Sequence, residues 1–162
     1  MLPNPLSLTA TTSSRVETSS LTSAAHLARA LKDYFGFDAF RPGQEAIVRD
    51  ILDGRDVLAV MPTGGGKSLC FQLPAVLREG LTLVVSPLIA LMQDQVRLLD
   101  DEGISATFIN SSLPAEEIAA RIRAARHGEY KLLYLAPERL LQAEFLNVVL
   151  PQLIGSPGVC AI

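Results

Sequence analysis

The chain has 162 residues, 49% of them apolar and 19% charged, with 11 Gly, 10 Pro and no Trp. That length and composition point to one domain with a sizeable core, and exclude both a multidomain machine and wholesale disorder. Fourteen Lys plus Arg against 17 Asp plus Glu give a net charge of −3, so binding of nucleic acid by overall charge is excluded and any such role falls to a localised site.

Residues 1–23 are a Ser/Thr-dominated stretch (SLTATTSSRVETSSLTS) with little to bury, and are expected to be a disordered tail. They lack the apolar run of a signal peptide or membrane span. Arg15 is the only basic residue before His26, which argues against a transit peptide. From Ala24 helical periodicity begins, with Leu27, Leu31, Tyr34 and Phe35 on one face and Gly36 at the C-terminal cap. A second helix is expected over 42–53, with Pro42 in its first turn and Ile47, Ile51 and Leu52 on its apolar face. Continuous apolar runs then follow at 57–61, 81–85, 106–109, 132–136 and 159–162, separated by helical patterns at 67–78, 88–101, 115–126 and 138–153. Runs of this kind are strands covered on both faces, and their alternation with helices predicts an α/β fold built on a parallel sheet with helices on both sides. Cys70 and Cys160 stand apart without metal or disulfide spacing. They read as buried small apolar residues in a reducing compartment, the cytoplasm by default.

The run at 57–61 leads directly into Pro62-Thr63-Gly64-Gly65-Gly66-Lys67-Ser68, after which a helix is expected. Glycines let the backbone adopt positive φ and bring its N–H groups close to phosphate oxygens, and the helix N-terminus adds partial positive charge. In such a loop Lys67 reaches the β and γ phosphates and the Ser68 hydroxyl ligates Mg²⁺. Lys67 is one of only three lysines in the chain. The pattern departs from G-x-x-x-x-G-K-[ST] at one place, Met61 standing where the first glycine is expected. The bland alternative is a flexible glycine turn beside an exposed lysine.

Leu31, Phe35-Gly36, Phe40-Arg41-Pro42-Gly43-Gln44 and Ile47 resemble the adenine-recognition motif of the RecQ family of DNA helicases. Met61–Ser68 resembles that family's phosphate loop. The likeness continues through Val85–Met92 with Asp94-Gln95-Val96, through Asn110-Ser111, and through Leu132–Leu140, so that it covers residues 27–162. It implies a RecA-like P-loop fold, incomplete at the C-terminus, preceded by the tail of residues 1–23. It implies ATP and Mg²⁺ as cofactors, with Phe37, Arg41 and Gln44 on adenine, Thr63, Gly64, Gly65, Gly66, Lys67, Ser68 and Leu69 around the phosphates, and Lys67 as the catalytic cation. A Gln amide offers a donor and an acceptor, which suits the N6 and N7 edge of adenine and not that of guanine. The bland readings are an exposed helix residue for Gln44 and core aromatics for Phe37 and Phe40, the last being the better reading of Phe40.

The resemblance also implies single-stranded DNA contacts at Ser86-Pro87 and Asn110-Ser111, where the alternative is an ordinary helix start. Arg121, Arg123 and Arg126 read as the solvated face of a helix. Glu138 is the only carboxylate following a candidate strand, but the intervening Pro137 makes it a helix N-terminal charge. The expectation is therefore the ATP-binding part of a 3′–5′ DNA helicase acting on single-stranded and branched DNA, in the bacterial nucleoid or the nucleus and away from membranes, with little ATPase of its own. The rivals are a non-catalytic nucleotide or single-strand DNA binding module and a small-molecule kinase. The sequence leaves the oligomeric state open.

Overall fold

The computed structural model describes residues 22–155 and 158–161, the last two by backbone alone. The expected tail therefore lies outside the described residues except for Thr22 and Ser23, as do the Cys160 side chain and Ile162. The chain divides into two compact units, Met1–Phe71 and Gln72–Ile162.

The first unit opens with α1, Ala24–Phe35, capped by the Ser23 side chain, which accepts from the His26 N–H at 3.3 Å. It ends at Gly36 (φ 70°), whose N–H donates to the Lys32 carbonyl at 3.0 Å, a left-handed stop that glycine makes without strain. Leu27, Ala30 and Leu31 are buried. The second helix, α2, spans Gln44–Leu52 and is shorter than the predicted 42–53. Gly43 takes φ 86°, so helical geometry cannot run back to Pro42, which lies in the preceding turn. Residues 57–60 do not form the predicted strand. Leu58 and Val60 are each 93% exposed, and no described strand supplies a ladder to them. An apolar run becomes a strand only where another backbone completes its hydrogen bonds. The helix α3, Lys67–Leu77, begins at the glycine loop.

The second unit holds a four-stranded parallel sheet of β1 (Leu81–Val85), β2 (Ala106–Ile109), β3 (Leu132–Leu135) and β4 (Val159–Ala161) in the order β2-β3-β1-β4. The helices α4 (Ile89–Asp101) and α5 (Ala115–Arg126) match the expected boundaries within a residue. Register aligns Leu83 with Leu133 and Thr107 with Leu133, so alternate residues of three strands share a face. On one face Leu81, Leu83, Ile109, Leu133 and Leu135 pack with Ala125 of α5, Phe145 and Leu153. On the other, the Gln72 amide donates to the Tyr134 hydroxyl at 3.3 Å and to the Gln95 side chain of α4 at 2.8 Å. All four residues of β3 are buried, which requires cover on both faces.

The single helix predicted over 138–153 is broken. The short α6, Pro137–Leu140, ends at exposed Leu141, a π-helical turn spans Phe145–Val149, and α7 covers Leu150–Gly155. The core-facing Leu140 and Phe145 lie on either side of the non-helical break at Leu141 and Gln142, which lets the chain re-enter a helix with Phe145 and Val149 turned to the core.

Burial raises the Tyr134 phenol above its ordinary value of 10.0, opposed by the Gln72 hydrogen bond. The unfolded chain therefore releases this proton first, so the stability it holds is full below pH 10 and declines above it. Tyr134→Phe should lose stability less steeply above pH 10, the slopes differing by up to about 1.4 kcal/mol per pH unit in denaturant titrations.

Candidate nucleotide site

The loop before α3 is built from two left-handed glycines, Gly64 (φ 78°) and Gly66 (φ 77°), flanking Gly65, whose N–H donates to the Pro62 carbonyl at 3.0 Å. This folds the backbone so that its carbonyls turn toward side chains. Lys67 Nζ donates to the carbonyls of Met61 (2.9 Å) and Pro62 (2.8 Å). The Arg41 guanidinium donates to the Gly64 carbonyl. Gln44 Nε2 donates to the Gly66 carbonyl at 3.1 Å and more weakly to that of Gly65 at 3.4 Å, while its Oε1 accepts from the Arg41 N–H at 2.8 Å. Three side chains thus hold five carbonyls of one loop, all those from Met61 to Gly66 except that of Thr63.

Gln44 is 2% exposed, so it is neither a surface helix residue nor idle. It sits at the first position of α2 because Gly43 turns the chain there. Phe37, Arg41, Gln44, Gly66 and Leu69 line one cavity of about 100 Å³, with Ala39 completing the wall. The sequence names all of these except Ala39, which carries no chemical signal. Phe37 is 53% exposed and leaves its ring open, whereas Phe40 is half-buried as a core aromatic would be. Thr63 and Lys67 are exposed and Ser68 is half-buried at the start of α3. Cys70, one turn on, is buried, and burial pushes its thiol above the ordinary range.

The second unit places the other predicted residues at the carboxyl edge of its sheet, where parallel α/β folds present their ligand sites. Ser86 follows β1 and donates its N–H to the Leu135 carbonyl at 3.0 Å, and its hydroxyl accepts from the Leu88 N–H at 3.3 Å. The N-cap of α4 is Leu88, not Ser86, and Pro87 is exposed. Asn110 follows β2, fully buried, its Oδ1 accepting from the Ser112 N–H (2.9 Å) and hydroxyl (2.7 Å) while Nδ2 has no partner; Ser111 is exposed. Because β3 lies between β1 and β2, Ser86 and Asn110 stand two strand spacings apart, about 10 Å. Glu138 is exposed in the first turn of α6, the position of a helix-terminal charge.

Residues 41–153 match the family model of the DEAD/DEAH box helicases. The chain belongs to that family. Its RecA-like fold and its resemblance to RecQ helicases are borne out. Over 120 residues, 74% of the chain, it is 48% identical to the ATP-dependent DNA helicase RecQ of Bacillus subtilis. Over 132 residues, 82% of the chain, it is 47% identical to the protein of that name from Haemophilus influenzae. The similar protein from Synechocystis is 44% identical over 133 residues. The chain spans 20% to 28% of the length of these relatives. No helix among the described residues is long and apolar enough to cross a membrane.

A Cβ on Gly66 would overlap the Gln44 amide nitrogen and would also sit at a positive φ. Gly66→Ala should therefore cost about 1–2 kcal/mol or more in denaturant unfolding. Combined with Gln44→Ala, which removes the obstructing amide, the loss should fall short of the sum by at least about 0.5 kcal/mol.

Proposed function

We propose that this chain is the ATP-binding part of a RecQ-type DNA helicase, an enzyme that moves 3′ to 5′ on single-stranded DNA and opens branched duplexes. The observation that carries the reading is the glycine loop at the start of an eleven-residue helix, with Lys67, Arg41 and Gln44 gathered on its carbonyls. Family membership and the printed names of the relatives support the nature of the reaction.

The loop is suited to a nucleoside triphosphate with Mg²⁺. The N–H groups of Gly64–Lys67 and the positive end of α3 favour phosphate. Lys67 exchanges two neutral carbonyls for anionic phosphate oxygens, a stronger pairing for an ammonium. Ser68 offers one hydroxyl to the metal, and Mg²⁺ ordinarily takes few protein ligands beside the phosphates it bridges. Phe37 and Arg41 face the base as stacking surfaces at the cavity wall.

Gln44 selects adenine through what its present bonds leave open. Oε1 has one lone pair in use and a second for the N6 amino group. To donate to N7, Nε2 gives up the longer bond to Gly65 and keeps the shorter one to Gly66. Ser86, Pro87, Asn110 and Ser111 are proposed to form the surface that meets the DNA backbone, with Pro87 and Ser111 exposed there and buried Asn110 shaping the turn through its bonds to Ser112. The protein then works where chromosomal DNA is, in the bacterial cytoplasm or the nucleus.

Fluorescent ATP and GTP analogues titrated into the chain with Mg²⁺ should show a preference for ATP. Lys67→Ala should weaken both by about tenfold or more, and Gln44→Ala should abolish the preference. Equal affinity of the parent chain for the two nucleotides would overturn the helicase reading in favour of a general phosphate-binding module.

A further inference from the structure

The sheet ends at β2, so one side of that strand faces no other strand among the described residues. Register tells which groups point outward. The carbonyls of Ser105 and Ile109 accept from Lys131 and Ala136 on the β3 side, at 2.8 and 3.3 Å. The residues of opposite parity, Ala106 and Phe108, therefore turn their N–H and C=O groups to the open edge. A short, uncharged stretch whose alternate backbone groups point outward from the sheet, here Ser105 to Ile109, is a template for a further strand.

Arg121 of α5 occupies that edge. Its Nη1 donates to the outward carbonyl of Phe108 at 2.8 Å, its guanidinium lies 4.4 Å from the centre of the Phe108 ring, and Nη2 pairs with Glu117 at 2.5 Å. The side chain is only 20% exposed, so this arginine is not part of a solvated face, as its spacing with Arg123 and Arg126 suggests. The planar fork makes the bonds to Phe108 and Glu117 together while stacking on the ring, a combination open to arginine and not to lysine. A strand approaching β2 must displace it.

We propose that the outer edge of β2 is a latent strand-pairing surface for a second copy of this chain, and that Arg121 is the guard that keeps it unpaired. Two β2 edges are self-complementary in the antiparallel sense, each offering the outward groups of Ala106 and Phe108 to the other.

Sedimentation velocity of the full 162-residue chain against Arg121→Ala tests this. The variant should self-associate at about tenfold lower concentration than the parent. Adding Ala106→Pro should restore the parent behaviour, because that N–H points outward and proline there removes no β2–β3 bond. An Arg121→Ala chain with the parent's circular dichroism that stays monomeric over the same range overturns the proposal. So does a double variant that associates as strongly as the single one. If Arg121→Ala does not fold, Arg121→Gln, which cannot bond Phe108 and Glu117 together, replaces it with the same expected and contrary outcomes.

Discussion

An unpaired backbone carbonyl costs about 1–3 kcal/mol where water does not reach it, and at two places that bear on this chain's function side chains, not backbone N–H groups, supply the donor. One is the turn from Met61 to Gly66, where five acceptors crowd a single loop and Lys67, Arg41 and Gln44 donate to them. The other is the outer side of β2, where Arg121 donates to Phe108. Elsewhere among the described residues the ladder of the parallel sheet, the helix caps and the turns do most of this work, with Lys131 Nζ donating to the Arg78 carbonyl at 2.9 Å. The side chains recruited to the loop are those that the chemistry of a nucleoside triphosphate calls for, so what holds the loop in shape is also what the proposed nucleotide would engage.

That double use explains why the loop needs glycine where it does. Gly64 and Gly66 take the left-handed conformation that points the carbonyls toward Arg41 and Gln44, and Gly66 also has no Cβ to push the Gln44 amide away. Gly43 serves the same end from the other side, since its positive φ starts α2 at Gln44 and sets that side chain at the helix entrance, buried against the loop. Lys67, by contrast, is exposed and bonded only to carbonyls. It is the member of the set that an incoming anion can recruit at least cost.

Much of this was legible in the residues. Strand and helix alternation fixes α/β class because its signal is local: β2, α5 and the body of β1 and β3 fall where periodicity puts them. The loop residues are legible because glycine, lysine and serine at that spacing have few other uses. What was not legible depends on partners distant in sequence. The apolar run at 57–60 has the composition of a strand, but composition does not supply a neighbouring backbone. The break before Phe145 depends on which face the core presents to Leu140 and Val149, which periodicity within one segment does not contain. Arg121 shares its helical spacing with two other arginines, and only the sheet order, with β2 at the edge, distinguishes it. The sequence pattern suggests a recognition role for Gln44 but not its support of the loop, because the Gly66 carbonyl lies far from it along the chain.

The central claim is that the Gln44 amide both braces the glycine loop and reads the base, giving up its weaker bond to Gly65 when adenine arrives. The side-chain amide resonances of Gln44, followed by nuclear magnetic resonance while Mg²⁺ and a nucleotide are titrated in, report on it directly. ATP should shift both amide protons to a new saturated position, and GTP should leave them near their starting frequencies. Saturation with ATP that leaves the Gln44 amide unmoved would contradict the claim and reduce Gln44 to a structural brace.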